Sequence, residues 1–176
     1  MEIAKLYEDE VFKIEKHMYN TEKAICYVLD QSGLILGEDF EFFKEIDNIT
    51  FTNSKKHKVD VMLTSRKDRN KKLYVEIKGQ MTYLEVNKLK YLLNETGKDF
   101  FILQLTDLDW MNPYTGQSAK DAFEKSKKDF ETQVQELVDF VKGEVTCSEL
   151  SERSKKRLQD YIDYRDNDLE RWRKTQ

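Results

Sequence analysis

Residues 57–80, HKVDVMLTSRKDRNKKLYVEIKGQ, decide how the chain is read. Two apolar, β-branched runs, Val59–Thr64 and Leu73–Ile77, flank the basic polar segment SRKDRNKK. Period-two alternation on either side of such a segment predicts two adjacent antiparallel strands joined by a turn. Asp60 and Glu76 sit inside these half-buried runs, and Lys78 directly follows the second. A carboxylate in a core strand needs a partner or a metal, because its desolvation is otherwise uncompensated. The hairpin is therefore the candidate active site.

Paired strands would bring Asp60 and Glu76 together, and two convergent carboxylates suit a hard divalent ion such as magnesium, which takes oxygen ligands and keeps several waters. The main-chain carbonyl of Ile77 would add a third protein oxygen. Glu76 and Lys78 are two apart on one strand, so their side chains share a face. Lys78 would then lower the pKa of a metal-bound water or neutralise charge building on a phosphate. Gly79 would relieve crowding where a substrate backbone comes close. A metal, an activated water and a cation at the scissile phosphate together suit phosphodiester hydrolysis.

Working outward, 3–30 carries apolar residues at helical spacing, with Thr21 placed to cap a second segment. Phe40–Phe51 alternates loosely, as one strand or two short ones. Tyr83–Glu95 is an amphipathic helix stopped at Gly97. The run FFILQL at 100–105 is a buried strand. Helix, three strands, helix, strand favours an α/β fold, a mixed sheet with helices packed against it. Past Asp107 comes a loop with the single proline, Pro113. Two charged helices follow, Ala119–Val141 and Ser148–Lys174, forming a helical hairpin that covers the sheet, binds a protein partner or builds a homodimer. The chain thus divides into a core over 1–110 and a helical extension over 111–176.

Of 176 residues, 39% are hydrophobic and 36% charged, which describes a domain with a real core and a very ionic surface. No apolar run reaches the ~20 residues of a membrane span. The acidic N-terminus lacks the order of a secretory signal. Cys26 and Cys147 form neither a zinc signature nor a disulfide framework, and a reduced cytoplasmic compartment is the simplest reading. The net charge of −4 argues against indiscriminate nucleic-acid binding. Yet 54–72 holds nine of the Lys, Arg and His residues against Asp68 and Asp60, a basic rim on an acidic protein.

Lys58-Val59-Asp60, a turn, then Val75-Glu76-Ile77-Lys78-Gly79, followed by a helix and FFILQL, resembles the PD-(D/E)XK nuclease superfamily. In detail it is similar to the endonuclease and Holliday-junction-resolvase branches, over roughly residues 20–105. The resemblance implies a restriction-endonuclease-like core and a magnesium- or manganese-dependent DNA endonuclease of bacterial or phage type. It implies Asp60 and Glu76 as metal ligands and Lys78 as catalytic lysine. A glutamate on the first helix often stands near the metal in that family; Glu22 fits best, ahead of Glu15. Val59 replaces the proline of the motif's name, and Gln80 follows the glycine as a polar neighbour of the site. Lys88 and Lys90, on the helix after the third strand, are both available for a phosphate. The superfamily also contains catalytically inactive members, so a DNA- or protein-binding inhibitory module is the alternative. His57 beside the basic turn is a candidate phosphate contact, but a lone histidine next to lysines reads first as solvent-facing. Asp107 and Asp109 stand at a strand end where sites gather but also suit the start of a turn or helix, and Trp110 and Tyr114 suit stacking on an unpaired base but read first as lids over a core edge.

Overall fold

The computed structural model describes residues 25, 29–30, 32–50, 56–78, 83–104 and 119–176. Four strands, β1 (Phe40–Thr50), β2 (Lys56–Ser65), β3 (Asp68–Lys78) and β4 (Phe100–Gln104), form one sheet in the order β1-β2-β3-β4. The first three are antiparallel, and β4 joins β3 in parallel after a crossover through helix α1 (Tyr83–Glu95). Helices α2 (Ala119–Lys142) and α3 (Cys147–Lys174) complete an α/β architecture.

Alternation along the strands splits the core in two. Leu73, Val75, Ile77, Phe101 and Leu103 face Val134, Leu137, Val138 and Val141 of α2, with Ile25 and Leu29 of an N-terminal helical segment in the same cluster. On the opposite face Tyr74, Phe100 and Ile102 meet Val86, Leu89, Leu92 and Leu93 of α1, together with Leu158 and Ile162 of α3. Alternate residues of β3 thus supply opposite faces, as the period of a strand requires. Both faces are covered, which a parallel β3–β4 pair demands.

Helix α3 changes faces along its length. Its first turns place Cys147 and Leu150 with the α2 cluster, while Leu158 and Ile162 lie with α1. Between them the Oγ of buried Ser154 accepts the Ile102 N–H at 3.2 Å. The helix therefore passes around the β4 edge and caps one of its outward donors, a protection that edge strands need. A capping box starts α3: Thr146 Oγ1 accepts the Glu149 N–H at 3.1 Å, and Glu149 Oε2 accepts the Thr146 N–H at 2.8 Å. Glu136 of α2 pairs with Arg157 of α3 and fixes the helical hairpin. These helices cover the sheet and share its cores.

The hairpin turn is shorter than the composition predicts. Only Arg66 and Lys67 turn; 68–72 is strand, exposed throughout, and apolar burial begins at Leu73. Polar content marks where the core ends, and the ladder continues past that point. Here the β2–β3 turn docks on the α2–α3 turn, where Ser65 Oγ donates to the Val141 carbonyl at 2.6 Å. Gly143, at φ +79°, ends α2 in the left-handed region; a Cβ there would lie 2.9 Å from Lys67 Cγ. β1 is one strand with a register shift between Ile46 and Ile49.

Candidate functional site

The site lies where β2 and β3 part. Their pairing runs from Ser65↔Asp68 to Val61↔Val75. Beyond it the Ile77 N–H donates to Asp60 Oδ2 at 2.8 Å, a side chain standing where a strand carbonyl would be. Side-chain alternation changes at the same point: Val61 and Leu63 belong to the α2-side core, but Val59 belongs to the α1-side core. On a regular strand those three share a face. The change at Asp60 turns the start of β2 toward the face that carries Glu76 and Lys78.

This explains His57. In place of the solvent-facing position expected for it, it is 5% exposed, and its Nε2 lies 2.7 Å from Glu76 Oε1. Glu76 is 1% exposed, and its second oxygen, Oε2, lies 3.5 Å from Lys78 Nζ. Lys78 Nζ in turn sits 2.7 Å from Glu85 Oε2, on the first turn of α1. The chain of contacts His57–Glu76–Lys78–Glu85 thus joins β2, β3 and α1.

Electrostatics follow from this packing. Burial, and then the neighbouring charge of Glu76, push the Asp60 carboxyl up from 3.8 to about 6, against the pull of the Ile77 N–H, Lys78 and Lys88. Burial works against the Lys78 ammonium, but Glu85, Glu76 and Asp60 outweigh it and hold its pKa above the ordinary lysine value. Burial likewise opposes the Glu85 carboxylate, and Lys78, Lys88 and His57 bring it below its ordinary range. Lys88 therefore reaches the site electrostatically. Lys90 faces away, lining a groove of about 410 Å³ with Leu93, Lys155 and Ile162 between α1 and α3.

Asp60, Glu76, Ile77 and Lys78 thus gather at one place. Glu22, Glu15, Gly79, Gln80, Asp107, Asp109, Trp110 and Tyr114 lie outside the described residues. Sequence reasoning missed Glu85 and misread His57. An acid on a first helical turn usually complements the helix dipole, so Glu85 had a sufficient local explanation. The signal for His57 was its place three residues before an acid inside a strand.

Among the described residues no three His, Cys, Asp or Glu side chains gather closely enough to ligate one ion. Asp60 and Glu76 are two carboxylates, the kind of oxygen donor that a hard divalent ion takes. Asp60 remains hard to ionise because burial and the Glu76 charge outweigh the two nearby lysines. Among the described residues no helix is long and apolar enough to cross a membrane. No family model, curated protein or solved structure matches the chain.

Proposed function

We propose that this cluster is the active site of a divalent-cation-dependent DNA endonuclease, on a core of restriction-endonuclease-like type. The observation that carries the reading is the meeting of Asp60, Glu76 and Lys78 at the parted ends of β2 and β3, with Asp60 pushed up to about 6. Asp60, Glu76 and the Ile77 carbonyl would hold magnesium or manganese, which supplies Lewis acidity toward a phosphate oxygen when bound. Lys78 is the wrong group for a general base, since its pKa is raised and a base must be deprotonated near working pH. It acts as a fixed positive charge opposite the phosphate, where charge develops during displacement. Lys88 adds a second cation from α1.

The test is cleavage of duplex, single-stranded and branched DNA with magnesium or manganese. Wild type should cut, and Glu76→Gln and Lys78→Met should not. Cutting that survives either substitution removes the assignment.

One observation favours a catalytically silent DNA- or protein-binding module instead. Both Glu76 oxygens already face cationic or hydrogen-bonding groups of the chain, His57 at 2.7 Å and Lys78 at 3.5 Å. Calorimetric titration separates the two readings. Heat from magnesium or manganese that disappears in Asp60→Asn supports the enzyme; no heat and no cleavage support the silent form.

A further inference from the structure

The end of the sheet opposite the candidate site carries a different chemistry. Between Thr64↔Lys72 and Ser65↔Asp68 the register shifts, and Arg69, Asn70 and Lys71 bulge out of the ladder. On the other side of β3, pairing with β4 starts only at Tyr74↔Phe100. The tip therefore displays Arg66, Lys67, Arg69, Lys71 and Lys72, all exposed. Exposed Lys98 adds to them: its Nζ lies 5.5 Å from the centre of the Tyr74 ring, two residues from Lys72 along the same face.

Within 66–72 five cations stand against one acid, Asp68, while Glu38 and Glu41 border Arg66 and Arg69 from around the start of β1. Arg66 lies 3.7 Å from Asp39. Lys67, Arg69, Lys71, Lys72 and Lys98 form no ion pair within 4 Å among the described residues. Asp68, the acid within the tip, accepts the Asn70 N–H at 3.1 Å and serves its own turn. The tip is also held in place. The Arg66 N–H donates to the Asp39 carbonyl at 2.8 Å, Ser65 is tied to Val141, and the Lys67 stem rests on Gly143. In a chain of net charge −4, the anchored tip is a local concentration of exposed cations.

We infer that this tip is a docking surface for the phosphate backbone of DNA, separate from the candidate active site. A fixed cluster of cations releases condensed counterions on meeting a polyphosphate, a gain that discrete acidic partners do not offer. Lys72 and Lys78 are six residues apart on β3, about 20 Å at ~3.3 Å per residue. Tyr74 and Glu76, which lie between them on the same face, are buried and α1 covers that face, so the tip and the candidate site are two separate points of contact. The inference rests on DNA as the substrate of the proposed site, but needs no catalytic activity.

Binding is measured by fluorescence anisotropy in EDTA, with duplex and single-stranded DNA, across a salt series. Wild type should bind, and log Kd against log salt should be steep. Lys71→Glu/Lys72→Glu should weaken binding at least tenfold near 0.1 M salt and flatten the slope by about 2, at ~0.9 per lost phosphate contact. Lys90→Glu/Lys156→Glu, an equal charge change between α1 and α3, should bind like wild type. Absence of wild-type binding, or equal weakening in both double variants, overturns the inference. Failure of the nuclease reading looks different: binding stays intact and lysine-tip-dependent, with no cleavage on adding metal.

Discussion

His57 Nε2 and Glu76 Oε1 stand 2.7 Å apart, joining β2 to β3 beyond the last paired residues of their ladder. With both groups buried, the contact closes a gap that backbone pairing leaves open. His57→Ala leaves a buried carboxylate oxygen without its partner, at about 1–3 kcal/mol. Urea unfolding measures the loss. An unchanged midpoint would show that the imidazole is dispensable.

Asp60 gives the protein a pH signature. A carboxyl pushed from 3.8 to about 6 in the folded state binds its proton more tightly there than in the unfolded chain. The folded state then holds more protons between about pH 4 and 6, and stability from this group falls as pH rises through that window. Asp60→Asn removes the effect. The variant should gain on wild type in thermal midpoint as pH goes from 4 to 7, and magnesium or manganese should narrow the difference at pH 7 by stabilising wild type alone. A difference that stays flat with pH contradicts the assignment.

Glu85 holds the ammonium of Lys78 at 2.7 Å. Glu85→Gln removes the strongest of the influences that raise the Lys78 pKa and leaves burial to lower it. Acylation of Lys78 at pH 8, quantified by peptide mass spectrometry, should increase severalfold in the variant. Equal rates would mean that Glu76 and Asp60 suffice to keep the lysine charged.

Ser154→Ala strips the Ile102 N–H of its acceptor at the sheet edge. The expected loss is about 1–3 kcal/mol, with faster aggregation on mild heating, as an uncovered edge invites intermolecular pairing. Light scattering during a thermal ramp reads both. Wild-type behaviour would show that α3 shields β4 by bulk alone.

The strand and helix pattern was legible because most of it is local. The amphipathic period over Tyr83–Glu95, the stop at Gly97 and the run at Phe100 each declare an element within a few residues. Asp60, Glu76 and Lys78 were visible as charges in apolar strands. What stayed hidden depends on distant pairing. The reach of His57 across 19 positions to Glu76 follows from the altered alternation at Asp60, which no short window reveals. Nor does the spacing of Leu150, Ser154 and Leu158 announce that α3 passes a strand edge, since a helix stripe looks alike whichever sheet face it meets. The polar 68–72 segment resembled a loop because its ladder extends beyond the core it would have to cover.

Asp60 is a rung as well as an acid. By taking the Ile77 N–H, its carboxylate replaces a missing main-chain acceptor and joins the two strands beyond the end of their ladder. Alanine at this position would remove both duties at once, whereas asparagine keeps an amide oxygen for the rung and discards the charge. The customary alanine knock-out would thus confuse architecture with chemistry, and the asparagine variant is the one whose silence speaks about ions.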